Sequence, residues 1–168
     1  WATYLGGREE DVVAKLDLDA QGNVYVAGAT IMPDPSFDDI RPPDERARSL
    51  FVSKLSADGR LLYTATTGVS PLMQPTALSV NERGEAHIAG WTDSPTFPTT
   101  PGAIGSEYPG PGAAFVMKFS ASGALVYSTY LAQLGAQTRM DLGSRVPILE
   151  RRVAAAAAPD GTLLVGGS

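Results

Sequence analysis

Two pairs of similar segments constrain the fold of this chain more than any other feature of its sequence. Residues 51–63 (FVSKLSADGRLLY) recur as residues 115–127 (FVMKFSASGALVY), with eight of thirteen positions identical at an offset of 64. Residues 16–30 match residues 78–92 at an offset of 62, with five of fifteen positions identical. Because both matches keep one order along the chain, they indicate a repeated unit of 62–64 residues. Such a period is typical of folds built from stacked supersecondary units.

Two shorter matches extend this pattern towards both ends of the sequence. Residues 1–5 (WATYL) match residues 127–131 (YSTYL), which end the second unit. A further copy begins at Val153, where an Ala-rich stretch is followed by a turn at residues 159–161. Propensity alone favours a short helix in the Ala-rich stretch, but the register of the repeat and the turn favour a strand.

Each unit is predicted to form four antiparallel strands, because apolar and polar residues alternate between Gly-containing turns. In the first unit the predicted strands are residues 12–18, 23–29, 50–56 and 60–66. Apolar side chains occupy both faces of the third and fourth strands: Phe51, Val52, Leu55, Leu61, Leu62 and Tyr63. A sheet with two apolar faces must lie between neighbouring layers, and radially stacked sheets form a β-propeller. We therefore predict an all-β fold, a β-propeller segment of four-stranded antiparallel blades.

The whole chain, residues 1–168, is predicted to be a single propeller segment with an incomplete ring. The predicted parts are the last strand of a preceding blade (1–11), a blade (12–68), a second blade (76–131), the first two strands of a third blade (153–168), and inserted loops (31–49 and 132–151). These parts contain eleven strands, or about two and three-quarter blades, whereas closed propellers typically have 4–8.

A short arc of blades exposes an apolar blade face at each end, which a monomer in water rarely tolerates. We therefore expect the chain to belong to a larger propeller, and closure of the ring by association with other chains is the alternative. No signal peptide is found at the start of the sequence, from which we expect a processed or partial chain.

Three strings in the second unit carry a family resemblance. They are AGWTDSPTFPTTPGA at residues 89–103, AFVMKF at 114–119 and LVYSTYL at 125–131. Together they resemble the bacterial SBBP β-propeller repeat. The resemblance is strong over residues 76–132, moderate over 1–30 and 50–68, and weak over 153–168. It implies a secreted, periplasmic or surface-exposed bacterial propeller with a structural or binding role, and it carries no catalytic residue over to this chain.

The strand order of a blade places all the long connections on one side of the disc. These connections are residues 31–49, 68–75, 93–113 and 132–151. Because long loops on a rigid scaffold commonly bind partners, this side is the predicted interaction surface. The alternative is that the loops only cover blade edges. The candidate partner-binding residues on or near these loops are Trp91, Phe97, Tyr108, Arg41, Arg139 and Arg145.

Each group of candidates has a structural alternative. Trp91 and Phe97 would instead pack between blades. Arg41 lies in an acidic, Pro-rich stretch, residues 34–48, which would instead be a solvated insertion. Arg139 and Arg145 lie among apolar residues in a segment that would instead be a linker packed across the disc.

Composition excludes several classes of partner and site. The net charge of −5 and the pI near 4.8 argue against nucleic acid as a partner. No apolar run approaches the length of a membrane span. The absence of Cys excludes disulfides and thiolate metal ligands.

The sequence predicts no catalytic residue, no cofactor and no metal site. His87 is the only histidine and matches Tyr25 of the first unit, so a structural role is predicted. Asp17 and Asp19 have the spacing of a calcium loop, but a hairpin turn with Asp side-chain hydrogen bonds is favoured because the later copies lack the pattern. The acidic residues 9–11 are predicted to be a solvated loop, with a cation site as the alternative.

These observations predict a non-enzymatic, extracytoplasmic scaffold or protein-docking module, which would be a peripheral subunit of a larger assembly. Its expected partners are proteins or further propeller blades. The alternative is a propeller that binds glycan or peptide through Trp91, Phe97 and Tyr108. A propeller hydrolase or lyase is the least favoured hypothesis.

Overall fold

The chain folds into β-strands joined by turns and loops. The computed structural model describes residues 1–6, 11–31, 48–67, 73–133, 137–140, 147–150, 153–157 and 163–167. These residues contain twelve strands and no helix: β1 (Asp11–Leu18), β2 (Val24–Ile31), β3 (Arg48–Leu55), β4 (Leu61–Thr66), β5 (Met73–Val80), β6 (Ala86–Thr92), β7 (Ala113–Phe119), β8 (Leu125–Gln133), β9 (Gln137–Met140), β10 (Pro147–Glu150), β11 (Val153–Ala157) and β12 (Leu163–Gly167). The predicted all-β class is confirmed.

The strands form two four-stranded sheets and two hairpins, and every pairing is antiparallel. The first sheet has the order β1-β2-β3-β4 and the second the order β5-β6-β7-β8. The hairpins are β9–β10 and β11–β12. The Ala-rich stretch is strand β11 rather than a helix, because its backbone pairs with β12 along its whole length.

The two four-stranded sheets share the positions of their irregularities. The β1–β2 register shifts between Val13 and Lys15, and the β5–β6 register shifts between Pro75 and Ala77, 62 residues later. Shifts at Lys54 in β3 and at Lys118 in β7 are likewise separated by 64 residues. Pro75, which has no N–H to donate, lies next to this bulge in β5, the end strand of the second sheet, where a proline is tolerated.

The main hydrophobic core lies between the first sheet and the second. Strands β1, β2 and β3 all contact β5 across this core. The buried core side chains are Tyr25, Ala27, Leu50, Val52, Met73, Ala86, Ile88, Phe97, Ala113, Phe115, Met117, Phe119 and Tyr130. Full burial of a side chain the size of Phe115 contributes about 1.5–3 kcal/mol, so this contact is the main source of cohesion between the two sheets.

The second sheet is covered on its other face as well. There β11 packs against β5 and β6, and Ala155 contacts a small cluster of buried side chains, Ala77, Ala89, Ala114 and Val116. Because successive residues of a strand point to opposite faces, the second sheet carries two apolar faces and lies between two neighbours, as its sequence predicts.

The structure differs from the sequence prediction at two places. Residues 1–6 form no strand, since a strand needs a hydrogen-bonded neighbour and no described strand lies beside them. The predicted inserted loop at 132–151 contains the hairpin β9–β10, in which Gln137 pairs with Glu150. Most of the other insertion, residues 32–47, lies outside the described residues.

Candidate functional site

The turn between β1 and β2 is built around the carboxylate of Asp19. Its Oδ1 accepts hydrogen bonds from the backbone N–H groups of Gln21 (3.1 Å) and Asn23 (2.9 Å). Its Oδ2 accepts one from Asn23 Nδ2 (2.8 Å) and lies 3.1 Å from Lys54 Nζ. Burial raises the pKa of Asp19, but the Asn23 hydrogen bonds and the Lys54 ammonium outweigh it and hold the pKa below its usual value.

Asp17 is also occupied by donors from the protein. Its Oδ1 accepts from Leu18 N at 2.9 Å, and its Oδ2 accepts from Val80 N of the second sheet at 2.7 Å. The predicted hairpin turn with Asp side-chain hydrogen bonds is therefore confirmed. Within the described ranges, no group of three or more His, Asp or Glu side chains has a geometry that could hold a metal ion.

In the matching turn between β5 and β6, Asn81 stands at the position of Asp19, and the negative charge is carried by Glu85 instead. Asn81 Oδ1 accepts from the backbone N–H groups of Arg83 and Glu85, both at 3.0 Å, and Asn81 Nδ2 donates to Glu85 Oε2 at 2.7 Å. Glu85 Oε2 lies 2.9 Å from Lys118 Nζ. The Lys118 hydrogen bond and that from Asn81 hold the pKa of Glu85 below its usual value. In both sheets the Lys of the third strand pairs with the acid of the turn.

Tyr25 and His87 occupy matching buried positions in the two sheets. Tyr25 is fully buried, and its hydroxyl donates to Gly84 O of the second sheet at 3.0 Å. His87 is 2% exposed, and its Nδ1 has no hydrogen-bond partner among the described residues. Burial, and then the Lys118 charge, lowers the pKa of His87 below its usual value. The structure therefore places the only histidine inside the fold.

The loop between β6 and β7 carries two of the predicted partner-binding aromatics. Phe97 is 4% exposed, and its ring centroid lies 4.9 Å from that of Phe115 and 5.0 Å from that of Tyr130. The Tyr108 ring is tilted against the Tyr130 ring, with their centroids 5.8 Å apart, and the Tyr108 hydroxyl donates to Asp93 O at 3.0 Å. Phe97 is therefore an interior residue and is not part of an exposed binding surface. A packing role was the alternative considered for it in the sequence.

Trp91 lies on the opposite face of the second sheet from Phe97. In β6 it pairs with Ala114 of β7, whose side chain belongs to the Val116 cluster, whereas Phe97 packs on Phe115. Because neighbouring residues of a strand point to opposite faces, the structure does not bring Trp91, Phe97 and Tyr108 together.

Of the three basic candidates, the structure describes only Arg139. Arg41 and Arg145 lie outside the described residues, and Arg139 is in β9, where it pairs with Ile148. Of the four long connections, the structure describes only the one between β6 and β7 in full. Within the described part of the chain, no helix is long and apolar enough to cross a membrane.

One face of the first sheet carries several exposed apolar side chains. We define the open face as the face opposite Tyr25 and Leu50. Its apolar members, assigned from the strand registers, are Val13, Leu16, Leu18, Val24, Val26, Phe51, Leu55 and Leu61. Leu16 is 64% exposed, Leu18 59% and Leu61 52%. Exposed apolar patches of this kind mark interaction sites.

A groove of about 260 Å³ crosses the outer part of the open face. It is lined by Leu5, Gly6, Asp11, Thr30, Phe51, Ser53, Leu61, Thr64 and Thr66. Leu5 packs against the buried residues Val26, Phe51 and Leu55, so residues 1–6 cover only part of the face. Asp11, the one residue of the acidic run that the structure describes, lies at the groove.

The corresponding face of the second sheet is covered. Leu78, the residue 62 positions after Leu16, packs against the main core, and Phe115, 64 positions after Phe51, is fully buried there. Gly28 and Gly90 are also equivalent. An added Cβ would come within 2.6 Å of the Phe51 ring at Gly28, and within 2.9 Å of the Phe115 ring at Gly90.

The repeat pattern indicated that such a face could exist, because a sheet with apolar residues on both faces needs a neighbour on each side. The pattern did not show which of the two sheets would have one face without a neighbour.

No family model matches this chain, and no curated protein shows significant similarity to it.

Proposed function

We propose that this chain is a segment of an extracytoplasmic bacterial β-propeller that acts as a non-enzymatic scaffold or protein-docking module. The observation that carries the proposal is the open face, where Leu16 and Leu61 are more than half exposed although their sheet is built like one that is covered on both faces. An apolar face of this kind is a surface for another protein layer.

The packing of the sheets supports the propeller part of the proposal. The first strands of successive units contact one another, β1 with β5 and β5 with β11. In a propeller the innermost strands of neighbouring blades meet around the central axis in the same way. The resemblance of residues 89–131 to the SBBP repeat supports the same arrangement and an extracytoplasmic location.

The docking part of the proposal is tested by making the open face polar. The double variant Leu16→Asp, Leu61→Asp is compared with the parent chain for binding of a hydrophobic fluorescent dye and for thermal unfolding. We expect dye fluorescence to fall at least twofold with a Tm change below about 3 °C, since substitutions at exposed positions change stability little.

The matched control is Ile104→Asp, because Ile104 is 83% exposed but lies in the loop between β6 and β7. We expect this control to keep most of the dye signal. Dye binding that is unchanged in the double variant, or a Tm that falls by more than 10 °C, would overturn the proposal, because the face would then be either inaccessible or part of the chain's own core.

A further inference from the structure

The junction between the first and second sheets joins two different surfaces, which we call its receiving half and its covering half. The receiving half belongs to the second sheet and has the ring of Phe115, Gly90 under that ring, and the turn glycine Gly123. The covering half belongs to the first sheet and includes Tyr63, whose ring would lie 2.7 Å from a Cβ added at Gly123. Gly123 has a φ of 87°, which also favours glycine.

The open face of the first sheet repeats the receiving half of this junction. Phe51 lies over Gly28 as Phe115 lies over Gly90, and Trp1 lies over the turn glycine Gly59 at 2.6 Å from an added Cβ. Trp1 Nε1 donates to Ala57 O at 2.7 Å, which holds the indole ring on the turn. The open face therefore has the shape that receives another sheet, and it is only partly filled.

The β11–β12 hairpin presents the other half of the junction. Leu164 of β12 follows the turn of its hairpin as Tyr25 follows the turn of the first sheet. Ala155 points towards the second sheet, so the pleat turns Ala154, Ala156 and Leu164 to the opposite side. All three are exposed, and Leu164 is 67% exposed.

We propose that the open face of the first sheet binds the outward face of the β11–β12 hairpin of a second copy of this chain. Two copies then form a closed ring, in which the open face of each copy contacts the hairpin of the other. The two junctions are identical, and each repeats the stacking of the first sheet on the second sheet within one copy. The inference rests on the proposed docking function and names its partner. Two copies contribute four four-stranded sheets and two β11–β12 hairpins, which falls within the 4–8 blades of closed propellers.

The second copy is the favoured occupant because, in the described part of the chain, the hairpin is the one element whose exposed face matches the covering half of the junction. A head-to-tail contact joins two different surfaces. Damage to either surface should therefore break the complex, and two differently damaged copies should still form one intact junction.

The experiment measures the mass of the purified chain by sedimentation equilibrium between 1 and 200 µM. We expect a species of twice the chain mass of 17.6 kDa to predominate at the upper end. The variants Leu16→Asp, on the open face, and Leu164→Asp, on the hairpin, should each weaken the association at least tenfold. Ile104→Asp serves as the matched control and should leave it unchanged.

Mixing the two variants gives the decisive result. Leu164→Asp keeps an intact open face and Leu16→Asp keeps an intact hairpin, so an equimolar mixture should form a heterodimer that neither forms alone. Thermal unfolding of each variant establishes that it is folded before mixing. A head-to-tail contact predicts this rescue, whereas a dimer joined through two open faces predicts none.

Three results would overturn the proposal: a monomer at every concentration, a dimer that Leu164→Asp leaves intact, or no heterodimer in the mixture. A monomer whose open face still binds the hydrophobic dye would refute the self-association and leave the docking function standing. Loss of dye binding to the open face of the monomer would refute both.

Discussion

The hydroxyl of Tyr25 in the first sheet donates a 3.0 Å hydrogen bond to the carbonyl oxygen of Gly84 in a turn of the second sheet. Tyr25 is fully buried and Lys54 Nζ lies 4.8 Å from its ring centroid. One side chain thus contributes apolar area to the core and a polar link between the two sheets. The polar link fixes the position of the second turn relative to the first sheet.

Replacing Tyr25 by Phe should keep the ring in the core and remove this link. The carbonyl of Gly84 then loses a buried donor, so we expect the free energy of unfolding to fall by about 1 kcal/mol. Urea denaturation followed by tryptophan fluorescence measures the change. The control is Tyr4→Phe, since Tyr4 is fully exposed. An equal loss in both variants would show that the Gly84 hydrogen bond does not contribute.

Comparison of the two turns predicts that the stability lost on replacing Asp19 can be restored by an acidic side chain at another position of the same turn. Asp19→Asn keeps the side-chain oxygen that accepts from the turn backbone, as Asn81 does, but leaves Lys54 without its acid. We expect a loss of about 1–3 kcal/mol, the usual cost of an unpaired charge of this kind. Adding Asn23→Glu reproduces the arrangement in which Glu85 meets Lys118, and should restore most of the stability.

The control for this rescue is Asn23→Gln in the Asp19→Asn background, which has the length of Glu without its charge. Denaturation curves at pH 7 compare the four chains. Restoration by Gln as complete as that by Glu would contradict the ion-pair explanation.

The depressed pKa values of Asp19 and Glu85 predict a loss of stability in acid. Because each carboxyl binds its proton less readily when folded, it stabilises the fold fully above its ordinary pKa of 3.8 or 4.5. That contribution is lost as the pH falls through the lower folded-state value. Urea midpoints measured from pH 7 to pH 2.5 should be level above about pH 5 and fall below pH 4.

The variant that carries both Asp19→Asn and Glu85→Gln checks the source of this pH dependence. Its urea midpoint should be lower than that of the parent at pH 7 and should change less with pH. A midpoint that falls as steeply in this variant as in the parent would assign the acid sensitivity to other carboxyl groups.

The position of Phe97 predicts a large effect on stability. Phe97→Ala removes a ring packed between Phe115 and Tyr130 and should cost about 3–5 kcal/mol. The control is Ile104→Ala, an exposed apolar residue of the same loop, which should change stability by less than about 0.5 kcal/mol. Thermal unfolding distinguishes the two, and equal effects would show that the loop is not anchored through Phe97.

Local patterns accounted for most of the secondary structure. The predicted strands of the first unit agree with β1 to β4 within two residues at each end, because alternation and the turn residues act over a few neighbours. The turn role of Asp19 was also predictable, since an Asx side chain bonds to the backbone two and four residues on. The hairpin β9–β10 was missed, because its strands are four residues long and lack clear alternation.

The sequence alone determined where the strands and turns of the two four-stranded sheets form, that the chain is all-β, and that its units share one pattern. It did so because apolar alternation and turn chemistry are local properties. The tertiary structure decided that Phe97 is interior, that Tyr25 reaches Gly84, and that the face carrying Leu16 is exposed while the face carrying Leu78 is covered. These outcomes depend on which sheet lies against which, and contacts between residues some sixty positions apart decide that stacking.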